Sequence, residues 1–129
     1  MTAVPRAPTT VLVLDDHDRL RRNLRALLED EGFLVAEAGS GEEALSIVRA
    51  TEIDVAIVDL RLPDMSGNEF IAVAHIVRPT LQFVIHTGTP NYSIPVELRR
   101  FGLSEESVFI KPISDANALF ARLRLLGGK

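Results

Sequence analysis

An α/β fold, a single parallel sheet wound on both sides by helices, is predicted by three observations on the sequence. Short apolar runs without polar interruption, such as Val11-Leu12-Val13-Leu14, Val55-Ala56-Ile57-Val58 and Val108-Phe109-Ile110, read as strands buried on both faces, as in the middle of a parallel sheet. Segments with apolar residues at helical spacing separate these runs. Strand and helix patterns alternate five times, which requires right-handed crossovers and places helices on both faces of one doubly wound sheet.

The elements follow in order. Residues 1–9, with Pro5 and Pro8 among small residues, are expected to form a flexible arm, and residues 10–129 a single domain. After the first strand come the acids Asp15-Asp16-His17-Asp18. Leu20, Leu24, Leu27 and Leu28 then mark the apolar stripe of a helix that Gly32 stops. Phe33-Leu34-Val35-Ala36 reads as the second strand. Ser40 and Glu43 have the spacing of a capping box, and Ala44, Leu45 and Val48 form the buried face of the helix it opens. The third strand ends in Asp59 and is followed by the loop Leu62-Pro63-Asp64-Met65-Ser66-Gly67. Ser66 and Glu69 form another capping-box pattern, and Phe70, Val73, Ala74 and Val77 carry the next helix until Pro79. Gln82–His86 is the fourth strand and runs into Thr87-Gly88-Thr89. Between Pro90 and Gly102 the two prolines leave room only for a short or irregular fourth helix around Val96, Leu98 and Phe101. The fifth strand ends in Lys111-Pro112. Ser114 is expected to cap a last helix with Ala118, Leu119, Leu123 and Leu126 on its inner face, closed by Gly127-Gly128. The leucine stripes of the first and last helices are expected to be core, with one leucine of the last free to face a partner.

Composition narrows the function. A chain of 129 residues can bury a core without staples, and with no cysteine it has neither disulfides nor a thiolate metal site. The start of the chain lacks the apolar block of a signal peptide, and no apolar run approaches the roughly 20 residues that cross a bilayer. A cytoplasmic protein is expected. Fourteen basic against 18 acidic side chains, net −4, give no broad electrostatic reason to bind nucleic acid.

The chemistry sits at the ends of the strands. In open α/β sheets, ligands bind beyond the carboxyl ends of the strands. Asp15 and Asp16, Asp59, Thr87 and Lys111 all fall there if the sheet is parallel. Any one of these acids alone is better read as a turn former or helix cap. Three carboxylates within mutual reach repel unless a cation joins them. Hard oxygen donors favour Mg²⁺, which keeps waters and accepts phosphate oxygens. A lysine and a hydroxyl opposite would serve the same phosphoryl group, with a carboxylate as nucleophile. His17 is expected to be an exposed loop residue rather than a ligand, and His75 and His86 to be surface or core.

The run Val13-Leu14-Asp15-Asp16, the block Asp59-Leu60-Arg61-Leu62-Pro63-Asp64-Met65-Ser66-Gly67, the pair Thr87-Gly88 and the pair Lys111-Pro112 together resemble the receiver domains of two-component response regulators, from about Thr10 to Leu126. The resemblance implies a flavodoxin-like sheet in the order 2-1-3-4-5. It also implies that Asp59 accepts a phosphoryl group from a histidine kinase or histidine phosphotransfer protein. By the same resemblance Asp16 and Asp59 bind Mg²⁺ directly, Asp15 through water, and the backbone carbonyl of Arg61 is a further ligand. Lys111 pairs with the acyl phosphate through a strand that ends in a cis Lys111-Pro112 bond, and Thr87 moves toward a phosphate oxygen as the switch. The partners implied are the phosphodonor and a downstream protein target, bound through the segment after strand 4 and the last strand-helix unit, with no direct contact to nucleic acid or membrane. The expected form is a stand-alone receiver or a piece of a larger regulator, and pairing of two copies through the last helices is left open.

Two departures from the family pattern set further expectations. Similar receivers carry an aromatic residue where this chain has Val108, while Phe109 falls on the opposite face of the strand. Signalling is therefore expected to work by reordering the segment from Gly88 to Glu106 rather than by an aromatic rotor. Arg61, with Thr89, flanks the path of attacking water in similar proteins, so slow self-dephosphorylation is expected. Two rival readings stand beside the phosphoacceptor: a degenerate receiver acting as a phosphate-independent interaction module, which Val108 keeps open, and an aspartyl-phosphate phosphohydrolase. Against the latter, such enzymes carry a second Asp two residues after the nucleophile, where this chain has Arg61.

Overall fold

The computed structural model describes residues 7–128. Its elements are β1 (Thr10–Leu14), α1 (Asp18–Asp30), β2 (Leu34–Ala38), α2 (Gly41–Ala50), β3 (Val55–Val58), α3 (Gly67–Val77), β4 (Gln82–Thr87), α4 (Val96–Arg99), β5 (Val108–Ile110) and α5 (Ala116–Gly127), with a 3₁₀ turn at Glu105–Ser107 before β5. The five strands are parallel, in the order β2-β1-β3-β4-β5.

Strand alternation divides the core into two layers. Val11, Val13, Val55, Ile57 and Val84 face α1 and α5, where Leu24, Leu28, Leu119, Phe120 and Leu123 meet them. Leu12, Leu14, Ala56, Val58, Phe83 and Ile85 face the other side, against Ala44 and Leu45 of α2, Phe70 and Ile71 of α3, and Leu98 of α4. Both faces of β1 and β3 are buried, which explains runs that do not alternate with polar residues. Each large side chain sealed this way contributes about 1.5–3 kcal/mol of transfer free energy.

The register brings the strand ends together. Leu14 is level with Val58, Val58 with Ile85, and Ile85 with Val108, so the residues that follow emerge on one edge. The pairing continues into the loops: the Asp59 N–H donates to the Leu14 carbonyl at 3.0 Å, and the Lys111 N–H to the Thr87 carbonyl at 2.8 Å. That bond carries β4 through Thr87, one residue beyond its expected end at His86.

Several expectations need correction. β2 is Leu34–Ala38 rather than Phe33–Ala36. Its later residues were hidden by Glu37, a charge inside a strand, which is compensated by ion pairs from Arg21 Nε at 3.1 Å and Arg25 Nη1 at 2.8 Å. Phe33 leaves the strand to pack on Phe120, with Arg124 over its ring. The cap of α5 is Asp115, whose Oδ1 accepts the Ala118 N–H at 3.1 Å, not the exposed Ser114. Ala118 points outward while Phe120 fills the core position. The leucine stripe of α1 is not wholly core, because Leu27 is 40% exposed, whereas on α5 it is Leu125, outside the expected stripe, that faces outward at 68%. Of the expected arm, residues 1–6 lie outside the described residues, whereas Thr9 is buried and its carbonyl accepts the Leu34 N–H.

Other local expectations hold. Ser40 and Ser66 accept the N–H groups of Glu43 and Glu69 and so cap α2 and α3. α4 is one turn long, starting after Pro95. Gly32, at φ 92°, ends α1 in the backbone region that favours glycine. Val108 packs toward α2, α3 and α4, and Phe109 toward α1 and α5.

Candidate functional site

At the carboxyl edge, Asp15 and Asp59 are 3% and 6% exposed and lie on either side of the Lys111 ammonium. Lys111 Nζ donates to Asp15 Oδ2 at 2.9 Å and stands 3.4 Å from Asp59 Oδ2. The other oxygens are held by backbone: Asp15 Oδ1 accepts the His17 N–H at 2.9 Å, and Asp59 Oδ1 the Arg61 N–H at 3.4 Å. The Lys111-Pro112 peptide bond is cis. Thr87, buried at the end of β4, has its hydroxyl oxygen engaged by the Thr89 N–H at 3.1 Å. A cavity of about 400 Å³ opens beside Asp59 and is lined by His17, Arg61, Thr87 to Pro90 and Lys111.

The two buried acids are tuned in opposite directions. Burial works to raise Asp15, but the His17 N–H and the Lys111 ammonium outweigh it and hold the carboxyl below its usual range. For Asp59, burial prevails over the Lys111 charge, and the neighbouring Asp15 charge adds to it, so this carboxyl is raised. Asp59 is therefore the more basic oxygen facing the cavity. His86, one residue before Thr87, is driven by burial and by the Lys111 charge down to about 4 and is neutral at physiological pH.

The donor set fits a hard divalent cation. Asp15, Asp16, Asp59 and His17 each offer one ligand atom, all within 4.8 Å of one another. The ion pairs of Lys111 are with Asp15 and Asp59, while the half-exposed Asp16 meets only the His17 ring, 3.2 Å away, among the described residues. Three carboxylates, two of them sharing a single ammonium, are left with uncompensated charge that a cation relieves, and carboxylate oxygens are the ligands Mg²⁺ prefers.

All the sequence-predicted residues, Asp15, Asp16, Asp59, Arg61, Thr87 and Lys111, thus converge on one edge. Two further residues touch the site in ways the sequence did not show. His17 is exposed as expected, yet its Nδ1 lies 3.0 Å from Asp15 Oδ1. Asp64 accepts the N–H groups of Gly41 and Glu42, both at 2.9 Å, and so ties the loop after Asp59 to the start of α2. These bonds hold Asp64 below the usual carboxylate range. No local spacing in the sequence could have revealed a cap supplied from 23 residues away. The loop is closed on its other side by Gly67, where any Cβ would stand 2.5 Å from the Asp59 carbonyl oxygen.

Comparison with known proteins gives a concordant picture. The model of the response regulator receiver domain family matches residues 11–124. The nitrate/nitrite response regulator protein NarP of Escherichia coli K12 is 39% identical over 82 residues, covering 62% of this chain and 38% of that protein. The response regulator UvrY of Escherichia coli O157:H7 is 34% identical over 99 residues, covering 71% of this chain and 43% of that protein. The chain spans less than half the length of the curated relatives it matches, from 23% for the alginate regulator AlgB of Pseudomonas aeruginosa to 43% for UvrY. Among solved structures, a receiver domain protein from Clostridium thermocellum superimposes with a TM-score of 0.81 at 27% identity, covering 93% of this chain and 94% of that one. A response regulator from Burkholderia pseudomallei, solved with a phosphorylated aspartic acid, a calcium ion and citrate, gives 0.77 at 26% identity, covering 93% and 69%.

Proposed function

This chain belongs to the response regulator receiver domain family, and we propose that it is a working phosphoacceptor in which Asp59 takes a phosphoryl group from a histidine kinase or histidine phosphotransfer protein. The observation that carries the reading is the pairing of a raised, cavity-facing Asp59 with Lys111 at 3.4 Å and a second, more acidic carboxylate beyond it. An Asp59 oxygen attacks the phosphorus of the phosphohistidine. The P–O bond forms as the P–N bond breaks, and the electron pair leaves on the imidazole nitrogen. Lys111 neutralises charge on the transferred group. Asp15, Asp16, Asp59 and the Arg61 backbone carbonyl would hold Mg²⁺, which supplies further neutralisation of the phosphoryl oxygens. The Burkholderia relative with a phosphorylated aspartic acid supports the assignment of the acid as acceptor.

The readout begins at Thr87. Its hydroxyl turns to donate to a phosphate oxygen, and the turn withdraws Oγ1 from the Thr89 N–H, which releases the start of the segment leading to the single-turn α4. With Val108 in place of an aromatic residue, the segment from Gly88 to Glu106 reorders and changes binding of a downstream protein there and at β5-α5. Hydrogen exchange on phosphorylation should change most between Gly88 and Glu106; unaltered protection in that segment would remove this switch. The acceptor itself is tested by intact mass spectrometry after phosphoramidate and Mg²⁺. One added phosphoryl group on the wild type and none on Asp59→Asn is the expected result, and an unmodified wild type would leave an interaction module that does not use phosphate.

A further inference from the structure

We propose that His17 is an additional ligand of the divalent-ion site, through Nδ1, and that it shifts the site's preference from Mg²⁺ toward ions that accept nitrogen, such as Mn²⁺, Co²⁺ and Zn²⁺. The proposal rests on the reading of the carboxylate cluster as an ion site. It adds a residue that the family pattern leaves out.

The ring turns into the acid cluster, where Nδ1 is within hydrogen-bond distance of Asp15 and is the partner of Asp16. Asp15 Oδ1 already accepts the His17 backbone N–H at 2.9 Å, and Asp15 Oδ2 accepts from Lys111 at 2.9 Å, so both oxygens have donors without the imidazole. His17 also occupies the N-cap position of α1 without making a side-chain cap bond, so the helix does not use the ring either. The side chain is 70% exposed and free to lie in water. It instead places Nδ1 3.0 Å from Asp15 Oδ1 and 3.2 Å from Asp16 Oδ1, and it lines the same cavity as Asp59 and Thr87.

Those separations suit shared coordination. Metal–oxygen and metal–nitrogen bonds of about 2.1 Å at right angles put neighbouring ligand atoms about 3.0 Å apart. Coordination through Nδ1 requires the ring proton to reside on Nε2, which water can accept from on an exposed ring. A neutral imidazole gains little from Mg²⁺, whose preference is for oxygen, and more from the first-row transition ions. Adding one nitrogen to an oxygen cluster therefore acts on selectivity more than on affinity for Mg²⁺.

The test compares binding of Mg²⁺, Mn²⁺ and Co²⁺ by titration calorimetry in the wild type and in His17→Ala, with pulsed electron paramagnetic resonance on the wild-type Mn²⁺ complex. Removing the ring should lower the ratio of Co²⁺ to Mg²⁺ affinity by about tenfold or more, leaving Mg²⁺ binding within about twofold. The Mn²⁺ complex of the wild type should show coupling to a directly bound ¹⁴N nucleus, which needs no variant to fold. Mg²⁺ binding with no nitrogen coupling and an unchanged affinity ratio would overturn the role of His17 while leaving the oxygen site in place. Failure to bind any of the three ions would overturn both.

Discussion

Gly67→Ala is predicted to damage the phosphoacceptor from outside the cavity. A Cβ at this position would lie 2.5 Å from the Asp59 carbonyl oxygen and 2.8 Å from Leu60 Cα. Both are backbone atoms, so no side chain can swing away. Reaching even the 3.0 Å floor for real Cβ contacts requires the start of α3 and the end of β3 to part by at least about 0.5 Å. Overpacking of this kind costs about 1–3 kcal/mol, and in a domain of this size each kcal/mol lowers Tm by roughly 3–6 °C. The displacement falls on the residue proposed to meet the phosphorus, where misplacements approaching 1 Å cost up to about 100-fold in rate. Gly39→Ala is the control, because a Cβ there comes no closer than 3.4 Å to the end of the Arg21 side chain, the backbone is not in the left-handed region, and the residue does not line the cavity. Thermal melts by circular dichroism and phosphorylation rates with phosphoramidate should separate the two, with Gly67→Ala less stable and at least about tenfold slower. A Gly67→Ala protein that melts with the wild type and is phosphorylated at the same rate would refute the tight approach of α3 to Asp59.

Further predictions concern the helix cap, the charge on Asp59 and the loss of phosphate. Asp115→Ala should cost about 1 kcal/mol by removing the α5 cap, whereas Ser114→Ala should stay within about 0.5 kcal/mol; urea titration of both checks the assignment. The raised folded-state pKa of Asp59 means that the folded protein holds this proton more tightly than the unfolded chain, so its ionisation opposes folding at neutral pH. Asp59→Asn should therefore melt higher than the wild type at pH 7, and the gap should shrink as pH falls through the carboxylate range; a gap constant with pH would contradict the shift. Arg61→Ala should lose its phosphoryl group severalfold faster if the exposed Arg61, at the cavity's edge, shields the phosphoryl group from water. Following decay of the phosphorylated mass decides this, and an unchanged lifetime removes the shielding role.

The parts of the site legible in the sequence are those delivered by the strands. Asp15, Asp59, Thr87 and Lys111 each follow an apolar run, and a parallel sheet with these pairings must bring them to one edge. Short-range caps were equally readable where a serine stands three residues before the N–H it accepts, as at Ser40 and Ser66. What stayed hidden depends on side chains meeting across the fold. Glu37 broke the apolar pattern of β2 because its partners Arg21 and Arg25 come from α1. The caps contributed by Asp64 and the reach of His17 into the acid pair depend on loop conformation, which no spacing rule encodes. Ser114 and Asp115 are adjacent candidates for one cap, and only the start of the helix in space selects the second. His86 is a buried polar group near the end of the interior strand β4, with Nε2 lacking a hydrogen-bond partner among the described residues, and its chemical type alone could not distinguish core from surface.

Asp59, among several acids crowded at one sheet edge, is the residue proposed to carry phosphate. Fragment mass spectrometry of the chain after reaction with phosphoramidate, with Mg²⁺ and in parallel with a chelator, tests this most directly. The expected result is a single phosphoryl group located on Asp59, formed with Mg²⁺, strongly reduced by the chelator and absent from Asp59→Asn. A phosphoryl group on Asp15 or Asp16, or an Asp59→Asn protein modified as fully as the wild type, would contradict it.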